Sequence, residues 1–155
     1  MIRSFDHTSF TVADVERAVA FWRDVMGFAV ADLSPREGDW LGAVVGVPGA
    51  RCRIAHLHGH GTHLEFIQYL APAGDDVTGP PNRPGTAHVA FVVEDIEALA
   101  QRMLAAGASE QGRITRCASG GAVGCRAVYL KDPNGIIVEL VEPPLGDVEK
   151  RNVPA

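Results

Sequence analysis

The chain is short of cysteine, of positive charge and of long apolar runs, and each shortage removes a class of function. Its three cysteines, Cys52, Cys117 and Cys125, fall at spacings that match no zinc motif. An odd count also argues against a disulfide framework, so they read as small apolar fillers. No stretch approaches the roughly 18 apolar residues of a membrane span, and the opening MIRSFDHTSF holds no apolar segment of signal-peptide length. From sequence the expectation is a cytoplasmic protein that makes no use of a membrane. Lys and Arg number 14 against 19 Asp and Glu, and they are scattered, leaving a formal net charge of -5. That gives no basic footprint for nucleic acid. What remains is globular in composition, 46% hydrophobic and 21% charged, and 155 residues suffice for one ordinary core.

Within that core the chain says the same phrase twice. Residues 7–15 read HTSFTVADV and residues 88–96 read HVAFVVEDI, so His7, Phe10, Val12, Asp14 and Val15 recur 81 residues later as His88, Phe91, Val93, Asp95 and Ile96. Each half also closes on a similar phrase, HLEFIQY around Glu65 and IVELVEP around Glu139. We therefore read a single domain of residues 1–155, with module 1 at about 5–70, a linker at 71–85, module 2 at about 86–143 and a tail at 144–155.

The local signals support paired modules. Residues 5 to 12 alternate as a strand, Asp14 stands where a helix N-cap belongs, and Val15, Ala18, Val19, Trp22, Val25 and Met26 recur at helical spacing before Gly27. A strand from Phe28 to Leu33 follows. The irregular excursion from Ser34 to Gly49 carries a short helix near Trp40 to Val45, and excursions of that length often carry binding groups. Arg51 to His58 and His63 to Tyr69 form a hairpin around Gly59, His60 and Gly61. In the second half Asp95 caps a helix that Gly107 ends. Strands are expected near Arg113, from Gly124 to Leu130 and from Ile136 to Val141, the last after a tight turn at Asp132 to Gly135.

Four side chains then stand out. Alternation along a strand puts His7 and His88 on the side away from Phe10 and Phe91, and it sets Glu65 and Glu139 apart from their apolar neighbours. An unpaired buried carboxylate costs on the order of several kcal/mol, so such groups need a partner. A divalent cation supplies one: two imidazoles and two carboxylates suit Zn, Ni, Co, Fe or Mn, with positions left open for water or substrate. His56, His58, His60 and His63 straddle the expected hairpin turn and are expected to face solvent. Glu37 and Asp39 read as solvated loop charges.

The opening DHTSFTVADVERAVAFWRDVMGF, the close YLKDPNGIIVELVEP and the paired modules together resemble the vicinal oxygen chelate superfamily. That superfamily includes glyoxalase I, methylmalonyl-CoA epimerase, extradiol dioxygenases, and fosfomycin and bleomycin resistance proteins. The resemblance spans roughly Phe5 to Pro143, and it implies an α+β fold of tandem βαβββ modules forming curved mixed sheets around a metal cleft. Carried over by position, the metal ligands fall on His7, Glu65, His88 and Glu139. The order His, Glu, His, Glu is similar to bacterial glyoxalase I and to the epimerase, in which the second ligand is usually glutamine. Glyoxalases that use glutathione have an arginine four residues after the first histidine and an asparagine four after the first glutamate. Here those positions are Thr11 and Tyr69, which points away from a glutathione hemithioacetal.

The activity implied is that of a metal-dependent isomerase, epimerase or lyase, a glyoxalase- or epimerase-like enzyme that abstracts a proton beside the carbonyl of a small organic substrate. Glu139 is the expected base, with Glu65 the alternative. Two further readings stand beside it: a drug- or metabolite-sequestering protein of the bleomycin-resistance type, and an extradiol-type dioxygenase. The family often forms homodimers, so a second copy is the expected macromolecular partner.

Overall fold

In the computed structural model, which describes residues 1–75 and 79–144, Asp14 and Asp95 each do what their repeat positions require. Their side chains accept hydrogen bonds from the backbone N–H groups of Arg17 and Ala98, satisfying donors that the first helical turn leaves without partners. Helix α1 accordingly runs Val15–Asp24 and its counterpart Ile96–Ala105. Gly27 and Gly107 follow them at φ of +75° and +94°, the left-handed conformation that glycine adopts without steric cost.

The chain divides into two compact units, Met1–Thr78 and Gly79–Ala155. In the first, strands β1 (Thr8–Thr11), β2 (Ala29–Arg36), β3 (Arg51–Gly59) and β4 (Thr62–Ala71) form one sheet in the order β1-β4-β3-β2. The β1–β4 pair is parallel and the others antiparallel, so the sheet is mixed. One face packs under α1, where Trp22, Leu57, Leu64 and Phe66 are fully buried. The Trp22 ring lies 5.4 Å from both Phe28 and Phe66. Burying side chains of this size is worth roughly 1.5–3 kcal/mol each, which is why α1 holds to the sheet.

The short helix α2, Asp39–Val45, sits in the β2–β3 connection. Its Leu41 joins Ala50, Cys52 and Ile54 in a second apolar cluster, against which Ile67 and Tyr69 pack. Alternation puts Ile67 and Tyr69 on the same face as Glu65. The excursion thus covers the Ile67 and Tyr69 end of that face.

In the second unit, β5 (His88–Val92), β6 (Ser109–Glu110), β7 (Thr115–Arg116), β8 (Arg126–Lys131) and β9 (Ile137–Glu142) follow the order β5-β9-β8-β6, with β7 also paired to β8. Helix α3, Ile96–Ala105, buries Ile96, Ala100 and Met103. The Asp132 side chain accepts hydrogen bonds from the N–H groups of Asn134 and Ile136 and so closes the tight turn into β9. Both units are α+β, each with a curved mixed sheet and one principal helix, as the sequence led us to expect.

Several boundaries differ from expectation. The first strand begins at Thr8 rather than near residue 5, so His7 stands at its threshold. Strand β2 runs on through Pro35 to Arg36, which is possible because β2 is an edge strand and proline there interrupts no interior ladder. Instead of one strand near Arg113 there are two of two residues each, on either side of it. Of the linker expected at 71–85, residues 76–78 lie outside the described residues, as does the tail from 145 to 155.

Candidate metal centre

The two histidines and two glutamates are placed by the same register in both sheets. Ser9 pairs with Glu65 across the parallel β1–β4 ladder, and Ala90 pairs with Glu139 across β5–β9. Each histidine is therefore two residues before the partner of its glutamate, on the same face by alternation. The consequence is measurable in each unit: His7 Nε2 lies 3.3 Å from Glu65 Oε1, and His88 Nε2 lies 3.2 Å from Glu139 Oε2. Two donors bound to one cation at about 2.1 Å, with a bond angle of about 90–110°, stand roughly 3.0–3.4 Å apart. Both pairs fit that spacing, and imidazole with carboxylate is a donor set suited to a borderline divalent cation.

In the first unit His7 is oriented from its other side. Its Nδ1 meets Asp6 Oδ2 at 2.5 Å, which turns Nε2 toward Glu65. Hydrogen bonding to a carboxylate on one imidazole nitrogen is the usual way a ligating histidine is held. The Asp6 hydrogen bond, reinforced by the charge of Glu65, raises the His7 pKa, and the same contact lowers that of Asp6. The Glu65 side chain is 11% exposed, that of Glu139 23%.

Each carboxylate also has a polar aromatic neighbour on the antiparallel side, which the sequence reading missed. His56 pairs with Glu65 and Tyr129 pairs with Glu139. His56 Nε2 is 3.6 Å from Glu65 Oε2, and Tyr129 brings its hydroxyl to 3.5 Å from His88 Nε2. Burial, and then the charge of Glu139, push the Tyr129 pKa up, so the phenol keeps its proton at neutral pH. Only cross-strand register reveals these neighbours, and a single sequence does not print it.

The expectation that the histidines from 56 to 63 face solvent is corrected for His56 and His63. Because His60 and Gly61 form a two-residue turn with positive φ at both positions, β3 and β4 stay paired up to Gly59 and Thr62. His63 is on the Glu65 face by alternation and His56 is there as the cross-strand partner of Glu65, with His56 Nδ1 3.1 Å from His63 Nε2. His58 is exposed beside them, and His60 Nε2 meets the Met26 carbonyl oxygen at 2.8 Å. Glu37 and Asp39 are exposed, as expected of solvated charges. Tyr69 packs into the apolar cluster beneath α2 and offers no amide in place of the glutathione-binding asparagine.

Another acidic cluster, Asp95, Glu97 and Glu142, is explained without a cation. Arg126 donates to both Glu97 and Glu142, and Glu142 also accepts from the Ile96 N–H. No helix among the described residues is long and apolar enough to cross a membrane.

Paired modules with a His–Glu pair at equivalent register define a class, and the chain belongs to it: residues 4–140 match the Glyoxalase/Bleomycin resistance protein/Dioxygenase superfamily. Among similar proteins, the 2-epi-5-epi-valiolone epimerase of an Actinomyces species is 32% identical over 145 residues, covering 90% of this chain and 79% of that protein. The ethylmalonyl-CoA/methylmalonyl-CoA epimerase of Cereibacter sphaeroides is 31% identical over 149 residues, covering 90% and 98%. A crystal structure of a glyoxalase family protein from Bacillus cereus superposes with a TM-score of 0.80 at 26% identity, covering 92% of this chain and 95% of that one. These relatives bear out the vicinal oxygen chelate resemblance.

Proposed function

We propose that this chain is a metal-dependent epimerase or isomerase, or a lyase of the same mechanistic kind, that moves a proton on the carbon beside a carbonyl of a small organic substrate. The observation that carries the reading is the repeated His–Glu pair, at 3.3 Å in one unit and 3.2 Å in the other, at identical register. In this reading His7, Glu65, His88 and Glu139 together hold one divalent cation, drawn from Zn, Ni, Co, Fe or Mn. The names of the two epimerase relatives support proton transfer over oxygenation or sequestration. A homodimer in the cytoplasm belongs to the same reading.

When bound, a divalent cation supplies Lewis acidity for the negative charge that develops on the substrate oxygen as the neighbouring carbon loses its proton. The chain's own residues do the rest. Glu139, the more exposed carboxylate, accepts the proton and returns it, while Glu65, hemmed by His7 and His56, serves mainly to bind. Tyr129 stays protonated and can donate its O–H toward the substrate oxygen. The Tyr69 and Leu41 cluster gives one end of the first-unit face an apolar wall that excludes water.

The test is solvent exchange. The metal-loaded protein is incubated in deuterium oxide with methylmalonyl-CoA, ethylmalonyl-CoA and 2-epi-5-epi-valiolone, and the products are read by mass spectrometry. Deuterium should enter at the carbon beside the carbonyl of one of these or a close relative, and His88→Ala should abolish it. A ligand held tightly but recovered without deuterium would replace this reading with a sequestering protein.

A further inference from the structure

Three imidazoles of the first unit lie on one face just beyond the His7–Glu65 pair. His58 and His63 are directly opposed across the β3–β4 ladder, and their ring centroids are 4.2 Å apart. His56 is two residues along the same strand, on the same side by alternation, with Nδ1 3.1 Å from His63 Nε2. That separation is also what two nitrogens bound to a single cation adopt, about 3.0–3.4 Å. A carboxylate is at hand: Asp6, His7 and His63 each present a donor atom within 4.8 Å of the others. Asp6, His58 and His63 line an open cavity of about 330 Å³, so the cluster is reachable from solvent.

We infer that this patch is a second divalent-cation site, formed by His56, His58 and His63 with Asp6, and separate from the four-ligand site proposed above. His7 turns its Nε2 to Glu65 and its Nδ1 to one oxygen of Asp6, so Asp6 stands between the two sites and has its other oxygen for the patch. A cation can replace the contact between His56 Nδ1 and His63 Nε2 when each neutral ring presents a lone pair there and carries its proton on the other nitrogen. Three nitrogens and one oxygen favour Cu2+, Ni2+ or Zn2+ and disfavour Mg2+ and Ca2+, which take oxygen ligands. The patch can reorganise on binding, because cross-strand rings need only turn about their side-chain bonds to converge.

The experiment is equilibrium dialysis of the full chain against Ni2+ or Zn2+, followed by elemental analysis. Wild type should hold two equivalents per chain. The double variant His58→Ala/His63→Ala should hold one, and His88→Ala should hold one, each having lost a different site. A wild type that holds one equivalent, kept by the His58→Ala/His63→Ala variant and lost by His88→Ala, overturns the second site and leaves the proposed active site standing. One equivalent that is lost in the double variant and kept in His88→Ala does the reverse. A measurement free of folding effects is electron paramagnetic resonance of wild type with the second equivalent supplied as Cu2+. Superhyperfine splitting from three imidazole nitrogens supports the patch, because the four-ligand site offers two, and splitting from two or fewer overturns it.

Discussion

Glu142 accepts a hydrogen bond at 2.9 Å from the backbone N–H of Ile96, fastening the last strand to the first turn of α3. The first unit repeats the arrangement with a neutral side chain, Gln68 Oε1 accepting from the Val15 N–H at 3.3 Å. Both residues lie three positions after the glutamate of the His–Glu pair. The strand that carries the carboxylate is thus tied to the helix behind the sheet, which fixes the strand's position along its ladder.

The two ties differ in how they respond to acid. Arg126 and then the Ile96 N–H hold the Glu142 carboxyl below its ordinary value of 4.5. A carboxylate with a depressed folded-state pKa stabilises fully above its unfolded value, and the contribution is lost as pH falls through the folded one. Glu142→Gln should therefore lower Tm by about 2–8 °C near pH 7, and the gap from wild type should shrink steadily below about pH 4.5. Gln68→Ala should lower Tm by an amount that does not vary with pH over the same range. Thermal melts at a series of pH values check both.

The two tryptophans report different things. Trp22 is fully buried against Phe28 and Phe66, while Trp40 on α2 is 56% exposed. Trp40→Phe should leave a blue-shifted emission that moves to the red with unfolding, whereas Trp22→Phe should leave an emission already near that of free indole. Trp22→Ala should cost about 3–5 kcal/mol in urea titrations, because it opens a cavity in the packing between α1 and the sheet. A loss under about 1 kcal/mol would mean that α1 does not depend on this contact.

Gly59 ends β3 with no room beside it. A methyl group there would come within 2.9 Å of the Phe28 ring and 3.2 Å of its Cα. Gly59→Ala should destabilise by about 1–3 kcal/mol, and Phe28→Leu in the same chain should recover part of the loss. Chemical denaturation of the two single variants and the double variant measures the coupling, and strict additivity would contradict the contact.

For the proposed chemistry, Glu139→Gln should retain an oxygen for the cation but lose the proton acceptor. Deuterium exchange should fall by about a hundredfold to ten-thousandfold, with metal retained better than turnover. Glu65→Gln should be milder. Tyr129→Phe should slow exchange by less than Glu139→Gln, since it removes a hydrogen-bond donor and leaves the base. If Glu65→Gln proves the more damaging of the two glutamate variants, their roles are exchanged.

Much of this was legible in the sequence because the repeat is read without any knowledge of pairing. The Asp14 and Asp95 caps, Gly27 and Gly107 after the helices, and the Asp132 turn are local devices whose signals lie within a few residues. The approach of His7 to Glu65 and of His88 to Glu139 followed from repetition, since equivalent residues in equivalent modules share a register. His56 and Tyr129 were not legible, because each reaches its carboxylate across an antiparallel ladder set by turn geometry elsewhere. His56 and His63 stand in strands as expected, but the face they occupy differs: His63 is on the Glu65 face by alternation, and His56 joins it as the cross-strand partner of Glu65.

Strand β2 combines an open flank, a register shift between Val30 and Asp32, and Pro35 near its far end. Proline has no N–H to offer an incoming strand, and a bulge twists the row of unpaired groups away from a straight partner. A neighbouring molecule that tried to lengthen this sheet would meet an interrupted template along β2. Edge-to-edge addition of a strand along that border is thereby disfavoured.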